Sequence, residues 1–208
     1  MVSPRPSQQD FPLRWAPAKE EALPVLVTIP HYGVEAVPEF DPTAWSTPDF
    51  IHFAHGFADP FAALIYGEVH RQNVNVLASP YSRLFVDLNR ARDDYECEGE
   101  RVESRKGVVR THTLSGRALF SDDLSQADAE SRLSRYYDPY HDQVVRLIES
   151  MTTGGQNIVL LDAHTALSKR FGDREIIVST QRGKTANPGR GYPGKPEARH
   201  GGDCRQGQ

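Results

Sequence analysis

The stretch PVLVTIPHYG, residues 24–33, decides the fold. Val25 to Ile29 is a run of Val, Leu, Val, Thr and Ile with no polar alternation, stopped at both ends by Pro24 and Pro30. A strand with one wet face alternates polar and apolar residues. A run without alternation belongs to a strand covered on both faces, the usual situation in a parallel sheet flanked by helices. The run delivers His31, Tyr32 and Gly33 at its C-terminal end, the side of such sheets where ligands gather.

The rest of the chain reads outward from this strand. Asp59-Pro60 places an acidic residue at N-cap and proline at N1, which predicts a helix with the apolar face Phe61, Leu64, Ile65 and Val69. Asn75 to Ala78 and Leu84 to Asp87 read as two short strands joined through Ser79-Pro80. Residues 91–123 are mostly charged and read as a long surface excursion. From Ser125 onward, Leu133, Tyr136, Tyr137, Tyr140, Val144, Leu147, Ile148 and Met151 follow a helical period, interrupted at Asp138-Pro139 and ended by Gly154-Gly155. Ile158 to Leu161 is the next buried strand and delivers Asp162-Ala163-His164; Glu175 to Ser179 is another. Strands alternating with helices predict an α/β fold with a mixed, largely parallel central sheet.

A chain of 208 residues, 38% hydrophobic, is long enough for one domain with a substantial core. Residues 1–21 are polar and proline-rich and read as a flexible lead-in, residues 22–182 as the α/β domain, and residues 183–208 as a disordered Gly/Pro-rich tail lacking the apolar residues to offset its ordering entropy. A formal charge of −4 gives no electrostatic footprint for nucleic acid. Neither a signal segment nor a membrane-spanning run is visible, so the expectation is a cytoplasmic protein with no nucleic-acid or membrane partner and an open oligomeric state. Cys97 and Cys204 read as unpaired surface thiols.

Two histidines at the ends of two separate strands, His31 and His164, form the first constellation. Zinc needs imidazoles held rigidly about 2.0–2.1 Å from one ion. Two strand-end histidines bonded to loops would look the same in sequence. A third ligand would be a carboxylate, Asp59 or Glu35; Asp59 has a competing role as a helix cap, and Glu35 one as a solvated loop residue. The second constellation is Asn89-Arg90, whose guanidinium matches a carboxylate bidentately. The alternative is a surface arginine closing a strand. Arg83 is either an accessory anion contact or a structural ion pair.

Taken in order, VLVTIPHYG, ADPFAALIY, SPYSRLFVDLNR, RTHTLSGRALF, RYYDPYHDQV and IVLLDAHTA resemble the N-formylglutamate amidohydrolase (deformylase) family over roughly residues 22–180. That family is similar in fold to the zinc carboxypeptidases and the aspartoacylase/succinylglutamate desuccinylase group. The resemblance implies a three-layer α/β sandwich and a metal-dependent hydrolase that splits an N-acyl amino acid, N-formylglutamate first among them. A carboxypeptidase-like peptidase, another N-acyl amino acid deacylase, or a catalytically silent binding relative are the alternatives. It implies zinc or another divalent metal on His31, Asp59 and His164, with Asp162 orienting a ligand from behind. Asn89 and Arg90, with Arg83 as accessory, would grip the substrate's carboxylate. The family's general base is a late glutamate, for which Glu197 in a Gly/Pro-rich setting is a poor match. The expectation is therefore a C-terminally shortened domain with no assigned catalytic base.

Overall fold

The computed structural model describes residues 14–16, 22–41, 50–152, 155 and 157–165. Its centre is a four-stranded sheet in the order β1-β3-β2-β6. These strands are β1 (Arg14–Ala16), β2 (Val25–Ile29), β3 (Asn75–Ala78) and β6 (Val159–Asp162). β2 runs parallel to both β3 and β6, while β1 lies antiparallel along β3. The sheet is mixed and mostly parallel, as the unbroken run of β2 predicts. Two corrections concern its ends. Arg14–Ala16, inside the segment expected to be flexible, adds an edge strand. β6, expected to be buried, is exposed along its length because no described strand pairs with its outer side.

Alternation along β2 and β3 separates two cores. Leu26 and Leu77 join one cluster with Ala129, Leu133, Tyr140, Val144 and Leu147 of the long C-terminal helix. Val27, Ile29, Val76 and Ala78 point the other way, onto Ala62 of α2 (Pro60–Tyr66), which follows the short α1 (Phe50–His55), and onto Val69 of the 3₁₀ turn after α2. Helices therefore cover both faces, which is why both faces of these strands carry apolar residues, with Thr28 and Asn75 the polar exceptions. The helix at Pro60 forms as expected, but its apolar face is a correction: Phe61, Leu64 and Ile65 are exposed, and only Ala62 is fully buried.

The long helix is one rod with a fault in it. α3 (Gln126–Arg132) starts with a capping box between Ser125 and Asp128, and α4 (Asp138–Met151) continues it after a π turn at Leu133–Tyr137. Pro139 explains the fault: it has no N–H and its ring crowds the carbonyl four residues back, so the chain widens before it. The Asp138 N–H accordingly reaches back five residues to the Leu133 carbonyl.

Leu84 to Asp87 is a buried turn, not a strand. The Ser82 hydroxyl accepts from the Leu84 N–H at 3.3 Å and the Ser82 carbonyl from the Phe85 N–H at 3.0 Å, local bonds that compete with extension. The charged excursion 91–123 is also more than surface. It forms a small hairpin, β4 (Cys97–Glu98) with β5 (Arg101–Val102), and sends Tyr95, Val102, Val108, Val109, Leu119 and Phe120 into the larger core. Cys97 is buried rather than on the surface, and Cys204 lies outside the described residues. The strand expected at Glu175–Ser179 and the tail expected at 183–208 lie outside the described residues.

Gly33 shows how tightly the strand ends are packed. A Cβ there would lie 2.1 Å from the Pro80 carbonyl, so only glycine lets the segment after β2 pass the one after β3. Glu35 and Tyr81 then form a parallel bridge. No described helix is long and apolar enough to cross a membrane.

Candidate functional site

Three parallel strands end side by side, and each is followed by a residue of the site. His31 follows β2, and His164 follows β6, where the Ala163 N–H donates to the Thr28 carbonyl at 2.8 Å. The segment 82–90 follows β3. Asp59 arrives from the turn before α2, its N–H donating to the His31 carbonyl at 2.7 Å. One ligand atom from each of His31, Asp59 and His164 lies within 4.8 Å of the others, and the two imidazole centroids are 4.9 Å apart. The convergence of two strand-end histidines, open in the sequence, is a fact of the structure.

Asp59 illustrates how geometry separates two roles that the sequence could not. It sits at the N-cap position of α2, yet its side chain makes no capping bond. Its Oδ2 instead lies 2.9 Å from His164 Nδ1 and 3.8 Å from His31 Nδ1. Burial alone would raise its pKa, but the hydrogen bond from His164 and the nearby His31 imidazole outweigh it and hold the carboxyl well below the usual range. Glu35 is exposed and is not part of the cluster.

Asp87 is the site residue that sequence reasoning missed as such. It is 0% exposed, and its Oδ1 takes His31 Nε2 at 2.6 Å. Its Oδ2 accepts from Arg83 Nε at 3.0 Å, from the Arg83 terminal nitrogen and from Arg110 at 3.1 Å. The backbone N–H of Asn89 also donates to Oδ1 at 3.2 Å. Burial pushes its pKa up, but the His31 bond and the charges of His31 and Arg83 pull it well below the usual carboxylate value. The available signal was an aspartate closing an apolar run with an arginine four residues before it, since a charge inside a buried segment needs a partner. Arg83 is thus the structural ion pair, one of the two roles open to it.

The bond to Asp87 fixes the tautomer of His31. With Nε2–H donated to Asp87, Nδ1 carries the lone pair, and that atom is buried with no hydrogen-bond partner. His164 has a similar layout with one difference, a proton on Nδ1: Nε2 faces Asp162 Oδ2 at 3.0 Å, Nδ1 donates to Asp59 at 2.9 Å, and Thr28 donates to the other oxygen of Asp162 at 2.9 Å. Each imidazole is backed by an aspartate and aims Nδ1 at Asp59. An orphaned buried nitrogen beside a carboxylate unused by its helix is what a divalent cation would satisfy, and carboxylate–histidine pairs are the usual support of such ligands. The donor set of two imidazoles and one carboxylate suits zinc.

The cluster opens to one side, from His31 at 3% exposure to His164 at 32%. Asn89 and Arg90 stand on the open side. Asn89 Nδ2 is 2.9 Å from His164 Nε2, and Arg90, 40% exposed, lies 4.0 Å from Asp87 and 3.6 Å from Asp94. Arg83 is turned inward to Asp87 instead.

His164 is pushed up to about 9: burial lowers it, but hydrogen bonds to Asp162 and Asp59 raise it by more. A group raised in the fold contributes stability that is fully present below its unfolded pKa of about 6.5 and is lost as pH rises through the folded value. Chelator-treated protein is therefore expected to lose thermal stability between pH 6.5 and 9, and His164→Asn to lack that loss. Parallel melting profiles of the two proteins would contradict the pairing.

The sequence profile of the N-formylglutamate amidohydrolase family matches residues 23–191. The chain is 25% identical over 159 residues to the N-formylglutamate deformylase of Pseudomonas putida, covering 70% of this chain and 53% of that one. A Pseudomonas aeruginosa enzyme of the same name is also 25% identical, over 155 residues, with 72% and 54% covered. Among solved structures, N-formylglutamate amidohydrolase from Ralstonia eutropha JMP134 superposes with a TM-score of 0.66 at 21% identity, covering 79% of this chain and 62% of that one. A gene product of Agrobacterium tumefaciens gives 0.58 at 20% identity, with 73% and 55% covered. The chain spans about half the length of the curated relatives it matches.

Proposed function

From the premise that the chain belongs to the N-formylglutamate amidohydrolase family, we propose that it is a metal-dependent hydrolase cleaving the amide bond of an N-acyl amino acid, N-formylglutamate to glutamate and formate. On this reading its fold is the three-layer sandwich of the zinc carboxypeptidase type. The observation that carries the proposal is the convergence of His31 Nδ1, His164 Nδ1 and the uncapped Asp59 carboxylate, with Asn89 and Arg90 beside them. A bound divalent cation supplies a Lewis acid for the amide carbonyl and brings the pKa of a water to about 7.

The chain's own residues supply position and charge. Asp87 accepts from His31 Nε2 and so leaves His31 Nδ1 available, while Asp162 orients His164, whose Nδ1 proton, now on Asp59, a cation would displace. Arg90 offers a fork to the substrate's α-carboxylate, and the Asn89 amide adds a donor at the rim. Arg90→Ala is expected to raise KM for N-formylglutamate about 10- to 150-fold, the loss of a charge-assisted pair of about 1.5–3 kcal/mol, with little change in kcat. An unchanged KM would remove Arg90 from the substrate's path.

One observation favours a second reading. Asp59, Asp87 and Asp162 each already engage a histidine, which leaves none of the three to accept the proton of an attacking water. A relative that keeps the cation and carboxylate sites but does not turn over would look like this. Formate release from N-formylglutamate by the full chain with added Zn²⁺ separates the two: turnover supports the hydrolase, and ligand-induced stabilisation without formate supports the binder.

A further inference from the structure

The segment that carries Asn89 and Arg90 is held from behind by the faulted helix. Tyr137, the last residue of the π turn, donates its hydroxyl proton to the Arg90 carbonyl at 2.8 Å. His141, one turn later, places Nε2 3.0 Å from the Leu88 carbonyl, and since a carbonyl only accepts, that nitrogen carries the proton. The two bonds bracket Asn89. Tyr137 and His141 also stack on each other, ring centroids 4.1 Å apart, so the two donors form one plate.

Tyr137 and His141 are four residues apart, the spacing at which a helix already puts two side chains on one face; the π turn adds the burial of Tyr136 beside Tyr137. In a regular helix successive residues diverge by about 100°, and neighbours do not share a face. Here Tyr136 and Tyr137 are both buried, 6% and 9% exposed. Tyr136 packs edge-on against Tyr81, while Tyr137 reaches Arg90. The cause of the fault is Pro139, two residues beyond Tyr137, and π turns of this kind recur at functional sites.

We propose that Tyr137 and His141 are positioning residues for carboxylate recognition: they fix the backbone on either side of Asn89 and so hold the Asn89 amide beside His164 and the Arg90 guanidinium beside Asp87, at the rim of the cation site. The proposal rests on the reading of Asn89-Arg90 as the carboxylate anchor. It requires no contact between Tyr137 or His141 and the substrate. Both donate only to main-chain carbonyls in these bonds, so each is replaceable in a graded way.

The test is the dissociation constant of glutamate, which carries the α-carboxylate but no scissile amide, measured by calorimetry on the zinc-loaded full chain. Tyr137→Phe, which deletes one oxygen, and His141→Leu are each expected to weaken glutamate binding about five- to tenfold with zinc stoichiometry unchanged. His141→Gln, which keeps a donor near Nε2, is expected to restore affinity to within about twofold. A purely structural role would lower the melting temperature and leave the constant where it was. If Arg90→Ala weakens binding while Tyr137→Phe and His141→Leu stay within twofold of the parent, the positioning role is overturned and the anchor stands. If Arg90→Ala itself binds glutamate as the parent does, the anchor reading is the one that fails.

Discussion

Asp87→Ala is expected to remove about 3–5 kcal/mol of stability, the penalty for leaving a buried charge without its partner. The carboxylate is fully buried and receives His31, Arg83, Arg110 and the Asn89 N–H. Arg83 is one-fifth exposed and turns readily to water, but Arg110 is 8% exposed and its Nε already lacks a partner, so its remaining bond is the one that matters. Against a total stability of about 5–15 kcal/mol the loss is large. Urea unfolding measures it, and a change below about 1 kcal/mol would mean that water replaces the carboxylate. Asp87→Asn refines the test: it keeps the volume and one acceptor but removes the charge. It should cost less, while still loosening the tautomer of His31 and with it any cation affinity, by about 10- to 100-fold if His31 is a ligand. The pH dependence has the sign of a depressed carboxyl. The contribution is fully present above the unfolded value near 3.9 and is lost only as pH falls toward the lower folded one.

Much of this architecture could be read from the chain alone, for reasons that differ by residue. β2 was legible because an unbroken apolar run between prolines has few alternatives, and its end then located His31. The long C-terminal helix was legible from its period, and Pro139 marked the irregularity although not its π form. Leu84 to Asp87 misled because burial, not extension, is what an apolar run reports; the Ser82 hydroxyl decides for a turn. Residues 91–123 misled for the opposite reason, since their charges outnumber the six or so side chains that reach the core. Asp59 was ambiguous in principle. Asp-Pro is a good helix start whether or not the carboxylate caps it, and only the direction of the side chain separates the two roles. Asp87 escaped because only Arg83 among its side-chain partners is local; His31 and Arg110 are 56 and 23 residues away, beyond any local pattern.

The second large effect concerns the cation. His31→Ala/His164→Ala is expected to abolish divalent metal binding: the parent chain, dialysed against Zn²⁺ and freed of excess, should retain about one ion per chain and the double variant essentially none. Removing one histidine leaves a two-ligand site and removing both leaves Asp59 alone; Asp87 and Asp162 are not placed to substitute, because they face the outer nitrogens of the imidazoles rather than the space between them. The effect has a thermodynamic counterpart independent of turnover. A ligand that binds only the folded state stabilises it by about 2.7 kcal/mol at a hundred times its Kd, so Zn²⁺ should raise the melting temperature of the parent and leave that of the double variant unmoved. A fully loaded double variant would place the metal elsewhere. His31 Nδ1 would then be a buried nitrogen without a hydrogen-bond partner, and its convergence with Asp59 and His164 would need another explanation.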